Sequence, residues 1–161
     1  MIGIVRKGKE AYVGVSGLLD KLEPLALFLM RLLVARVFWV SGLGKVETID
    51  VLGLRLPTPS MDQSTFFLFK NIFFPELPKW FTDIAAVMSA IGELTLPLLL
   101  VFGFFTRLGA LGLLAMTMVI QLFVFPDAWW PTHAWWAAAL VILLARGPGS
   151  WSVDRVIGLQ R

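Results

Sequence analysis

The chain alternates long apolar runs with short polar breaks, and the runs predict four membrane-crossing helices at about 24–43, 81–104, 108–125 and 132–146. The first reads PLALFLMRLLVARVFWVSGL, with Pro24 suited to a helix start because its missing N–H has no intrahelical partner there. A span needs roughly 20 apolar residues, with 17–25 usual, so the fourth is short unless Trp129 and Trp130 extend it into the interface. Two further segments read as lying along the membrane. EAYVGVSGLLDKL (10–22) mixes apolar and charged positions and predicts an interfacial helix. The Phe-rich STFFLFKNIFFPELP (64–78) is too short and broken to cross, and predicts a re-entrant or interfacial segment capping the bundle. The expected fold is an all-α membrane protein, a four-transmembrane-helix bundle forming a single domain over 1–161.

Composition agrees with that class. Of 161 residues, 58% are hydrophobic and 16% charged, against about 45–50% and about 25% in soluble domains. The 7 Trp and 13 Phe suit aromatic belts. A net charge of +3 without a basic patch interleaved with stacking aromatics argues against nucleic acid. The absence of cysteine excludes disulfides, thiolate metal sites and covalently attached haem within the chain. Met88, Met116 and Met118 lie on two helices and suit core packing better than a thioether copper site, so no metal is expected. Basic residues set the orientation. Arg6, Lys7, Lys9 and Lys21 precede the first span, Arg107 lies in the second connection, and Arg146, Arg155 and Arg161 follow the last span. The positive-inside rule then places both termini in the cytoplasm.

Buried charge offers the candidate chemistry. At 1.5 Å per residue, Arg36, Glu93 and Gln121 lie roughly 18, 16–17 and 20 Å from the inner ends of their helices. A lone charge in mid-membrane costs about 2.5–3.5 kcal/mol on insertion scales, so mutual pairing of these three in one polar layer is the expected remedy. Arg31, about 140° around the helix from Arg36, is expected to snorkel toward headgroups. Ser41 and Lys45 continue the Arg36 side, and His133 among tryptophans offers a proton relay near neutral pH. After Arg146, Gly147-Pro148-Gly149 should stop the last helix sharply, letting Asp154 turn back toward Arg107 or Arg146.

ARVFWVSGLGKV (35–46), the block from Gly92 to Trp136 and ARGPGSWSVD (145–154) together resemble the DoxX family. Its marks here are Gly42-x-x-Lys45, Glu93 followed by Gly103-x-x-Thr106-Arg107, and the terminal Gly147-Pro-Gly-x-x-Ser152-x-Asp154. The resemblance implies a small four-helix inner-membrane protein associated with redox complexes, and it brings no catalytic residue set. Two functions follow as expectations. One is a redox-associated subunit that binds a quinone in the polar layer, alongside partner subunits and membrane lipid. The other is a non-catalytic scaffold or assembly factor that binds lipid or a partner protein. Neither the substrate nor the oligomeric state is legible.

Overall fold

The computed structural model describes residues 2–159, with Met1, Gln160 and Arg161 outside the described residues. Four helical stretches are long and apolar enough to cross a membrane: Tyr12–Leu43, Lys79–Phe102, Thr106–Val124 and Pro126–Arg146. The chain is a multi-pass, predominantly helical membrane protein.

Helix α1 (Ile2–Leu19) passes through one tight turn at Asp20–Leu22 into α2 (Glu23–Leu43) without leaving helical backbone. The N-terminal segment therefore continues the first span instead of ending before Pro24. Tyr12, Val13, Val15, Leu18, Leu19 and Leu22 along it are all more than half exposed. Helix α2 stops at Gly44, after which the chain forms an antiparallel hairpin, β1 (Val46–Val51) and β2 (Leu54–Met61). Leu52 and Gly53 both have positive φ, +54° and +80°, as a tight two-residue hairpin turn with right-handed strand twist requires. The sequence reading contained no strand here, although Ile49, Val51, Leu54 and Leu56 already show the two-residue alternation.

A short helix α3 (Gln63–Leu68) and a wider turn at Phe69–Phe73 follow the hairpin. Asp62 starts α3 by accepting from the Ser64 N–H at 2.8 Å. Helix α4 (Lys79–Phe102) begins after Pro78 and ends at Gly103, whose φ of +66° is the left-handed closure glycine adopts freely. Helix α5 (Thr106–Val119) extends through a wide turn to Val124, and a second wide turn at Trp129–His133 leads into α6 (Ala134–Arg146). Helix α6 ends just before Gly147-Pro148-Gly149, as the cap residues imply. A one-turn helix α7 (Val153–Val156) follows.

The core lies where α2, α4, α5 and α6 meet, built from Leu27, Val34, Ala35, Phe38, Leu100, Ala110, Leu113, Leu140 and Leu143. Small residues set the helix spacing. A Cβ on Gly109 would lie 2.7 Å from Leu100, one on Gly112 2.7 Å from Leu96, and one on Gly42 2.9 Å from Leu94 and 3.1 Å from the Glu93 carbonyl carbon. That last contact puts the end of α2 level with Glu93. Helix α4 continues for 14 further residues toward Lys79, roughly 21 Å. The hairpin interrupts the chain at that level, and α3 with its wide turn packs against the remaining stretch of α4.

Candidate functional site

The discontinuity between α2 and α3 frees polar backbone beside a helix long enough to cross a membrane, and in lipid an unsatisfied group costs several kcal/mol. The Lys45 carbonyl is satisfied twice there, by the Asp62 N–H at 3.1 Å and the Thr65 hydroxyl at 3.1 Å. The Lys45 ammonium turns the other way. It meets Glu93 Oε2 at 2.5 Å and donates to Ser41 Oγ at 3.0 Å. Ser89, one turn before Glu93, completes the set by donating to Glu93 Oε1 at 3.4 Å. Glu93 is 2% exposed and Lys45 17%. Pro97 has no N–H, so it leaves the Glu93 carbonyl without its usual helical donor at the same level. A buried carboxylate, its cation, two hydroxyls and a freed carbonyl thus converge where one helix stops.

Beside them is a groove of about 700 Å³ between the α3 turn, α4 and α5. Its walls include Phe69, Phe73, Phe81, Met88, Met116 and Phe123, and it reaches Ser89. Volumes of roughly 300–1,000 Å³ with apolar walls and few polar groups are typical of small-molecule sites.

The structure separates the residues expected to form one layer. Glu93 pairs with Lys45, not with Arg36. Arg36 is exposed on the α2–α4 face and makes no hydrogen bond or ion pair with any described residue. Gln121 belongs to a third group: its Nε2 donates to the Pro126 carbonyl at 2.5 Å, and its Oε1 lies 2.7 Å from His133 Nδ1. Because the amide nitrogen is committed to a carbonyl, Oε1 faces the imidazole and Nδ1 carries the proton. His133 is 3% exposed and packs against Trp136 at 5.1 Å between ring centres, so it is buried in the bundle instead of lying at a surface mouth.

Arg31 departs furthest from expectation. It is fully buried instead of snorkelling, donating to the Leu100 carbonyl at 3.1 Å and to the Trp151 carbonyl, with its guanidinium 5.4 Å from the Phe28 ring centre. Asp154 supplies a nearby opposite charge. Its carboxylate accepts from the Phe105 N–H at 2.8 Å and the Thr106 N–H at 2.9 Å, capping the positive end of α5. Asp154 therefore meets neither Arg107 nor Arg146. Arg107 is exposed, and Arg146 pairs with Glu23 at 2.5 Å. The terminal Gly-Pro-Gly-x-x-Ser-x-Asp block is a latch joining α2, α4 and α5 at the end away from the hairpin.

The sequence pattern of the DoxX family matches residues 26–126. The chain belongs to the DoxX family. No curated protein and no solved structure matches it. The matched stretch contains Arg31, Lys45, Glu93 and the whole groove, whereas the DoxX chain's latch residues Trp151 and Asp154 lie beyond it. Among the described residues no cluster of three or more His, Asp or Glu side chains could hold a metal. Sequence reasoning missed the partnership of Lys45 with Glu93 and the burial of Arg31. The second was signalled, because Leu27, Arg31, Val34, Phe38 and Gly42 recur at spacings of four and three residues and form one buried stripe.

Proposed function

We propose that this DoxX protein is a bacterial inner-membrane component of a redox-associated complex that binds an isoprenoid quinone in the groove beside Glu93, with both termini cytoplasmic. The observation that carries the reading is the groove itself, about 700 Å³, apolar except for Glu76 and Ser89 in its lining, of which Ser89 bonds the Lys45-paired Glu93. Those residues fit an isoprenoid quinone: the phenyl and thioether walls suit its tail, and a hydroxyl with an ammonium behind it suits a ring carbonyl. A bound quinone supplies uptake of electrons and protons. Ser89 would orient the ring by donating its hydroxyl hydrogen, giving up its 3.4 Å bond to Glu93. Glu93 Oε1 would then be the position at which this chain holds a proton, with Lys45 keeping the carboxylate in place. The Phe69–Phe73 turn would exclude water.

The test is to purify the protein in mild detergent and quantify co-extracted quinone per chain against the bulk membrane lipid. Enrichment well above the membrane ratio is expected, with loss in Ala115→Trp, which fills the groove from α5. A quinone content equal to the membrane ratio, unchanged by Ala115→Trp, would refute this reading. With a stable co-purifying protein, that result would favour the non-catalytic scaffold.

A further inference from the structure

Arg36 is a cation within a candidate membrane span and has no hydrogen-bond or ion-pair partner among the described residues. It borders a hollow of about 260 Å³ between α2 and α4 whose other walls are Leu32, Ala35, Trp39, Pro97, Leu98 and Val101. This face uses a different half of α4 from the quinone groove and does not depend on that reading. Charged side chains in spans ordinarily face the bundle interior and pair there, because a charge left in lipid costs about 2.5–3.5 kcal/mol on insertion scales. Of the two buried carboxylates among the described residues, Glu93 is paired with Lys45 and Asp154 caps α5.

We propose that the α2–α4 face around Arg36 docks a transmembrane helix of a different protein that carries a carboxylate at the depth of Arg36. Charge complementarity selects the occupant. Among the described residues a second copy of this chain offers no carboxylate at that depth: Glu47, Asp50, Asp62 and Glu76 lie in the connection between α2 and α4, and Asp154 caps α5. Glu93 is buried against Lys45, Asp83 bonds Lys79 near the hairpin end, and Glu23 bonds Arg146. Asp20 lies 16 residues before Arg36, roughly 24 Å lower, and Asp127 lies beyond the far end of α5. A twofold contact through this face would also oppose Arg36 to itself. A lipid phosphate is less suited, since phosphate sites gather several donors and the other lining residues are largely aliphatic. Ala35 and Pro97 flank a shallow recess instead, which lets a partner backbone approach closely.

The experiment places a photoreactive benzoylphenylalanine at Leu98, which lines the hollow and is 40% exposed, and irradiates native membranes. The expected product is an adduct with another protein whose cross-linked peptide maps to a membrane helix containing Asp or Glu. Arg36→Glu should reduce its yield at least tenfold, Arg36→Lys should retain it, and replacing the mapped carboxylate with Lys should restore it in the Arg36→Glu background. Arg36→Glu should leave the melting temperature of the isolated protein close to wild type, because Arg36 bonds none of the described residues. The proposal is overturned by adducts with lipid alone, by adducts with a second copy, by no adduct, or by one indifferent to Arg36→Glu.

Discussion

The losses on removing Lys45 and Glu93 singly should not add in the double variant, and the two single variants should differ. Lys45→Met leaves a carboxylate that is 2% exposed with only the Ser89 hydroxyl, at 3.4 Å, to replace a 2.5 Å contact with an ammonium. Breaking a buried pair in this way costs about 3–5 kcal/mol. Lys45 retains 17% exposure, so the lower half of that range applies. Glu93→Gln removes the charge but keeps a group that can bond Ser89, while the stranded ammonium keeps Ser41 at 3.0 Å. A loss of about 1–3 kcal/mol follows for that variant. For a chain of this size about 1 kcal/mol shifts the melting temperature by roughly 2–4 °C, so Lys45→Met should melt roughly 6–16 °C lower in detergent.

The double variant Lys45→Met with Glu93→Gln places no charge at the site and should recover much of the loss, with a coupling of about 1–3 kcal/mol. Arg36→Met with Glu93→Gln is the control. Arg36 touches neither Glu93 nor Lys45, so its effect should add to that of Glu93→Gln within about 0.5 kcal/mol. Additive losses for Lys45 and Glu93, or strong coupling of Arg36 with Glu93, would refute the pairing and restore the layer read from helix depth.

Three more outcomes follow. Gly103→Ala should sharply lower yield and melting temperature, because its Cβ would lie 2.2 Å from Arg31 Nη1 and 2.5 Å from Ser152 Cβ at a φ of +66°. A melting temperature within 2 °C of wild type, at the lower bound of roughly 2–4 °C per kcal/mol for this size, would contradict it. Asp154→Ala should cost about 1–2 kcal/mol through the lost cap on Phe105 and Thr106, and Asp154→Asn less, both read by thermal melting. Bonding to the Ser64 hydroxyl and N–H holds Asp62 below the ordinary carboxylate range. Its contribution is thus present above the ordinary pKa and lost as pH falls through the depressed one. Amide exchange at Ser64 and Thr65 should accelerate in acid, and Asp62→Asn should abolish that acid dependence.

Height counted from span ends misplaced the layer, and it carried no azimuth. Gly42 is the α2 residue level with Glu93, while Arg36 lies six residues earlier, roughly 9 Å away, beside Pro97, Leu98 and Val101. The stripe of Leu27, Arg31, Val34, Phe38 and Gly42 carries the missing angle: Arg31 falls on it and is buried, and Arg36 falls off it and faces outward. Four spans, the Gly-Pro-Gly stop and the Phe-rich capping segment follow from hydrophobic run length and cap chemistry, which are local. Lys45 was not legible as the partner of Glu93, because the pairing depends on α2 ending partway along α4. Where that ending falls along α4 is fixed by the close approach of Gly42 to Glu93 and Leu94, a tertiary contact.

The break in the helix connects these observations. A helix that stops partway along a membrane-crossing neighbour must satisfy its freed backbone, and here Thr65 and Asp62 return across the hairpin to do so at Lys45. The same stop frees the Lys45 side chain to reach Glu93, which an uninterrupted α2 would carry past that level. Discontinuous helices with charged or unpaired groups near mid-membrane commonly form ligand sites in transporters, and the physical reason is not special to transport. Only where protein covers the broken backbone can polar groups face an apolar groove without exposing themselves to lipid. The Phe69–Phe73 turn provides that cover and one wall of the groove together. Loosening this turn, by Phe69→Ala for example, should therefore weaken ligand retention and the Lys45–Glu93 coupling in parallel. Loss of either one alone would show that cover and site are separable.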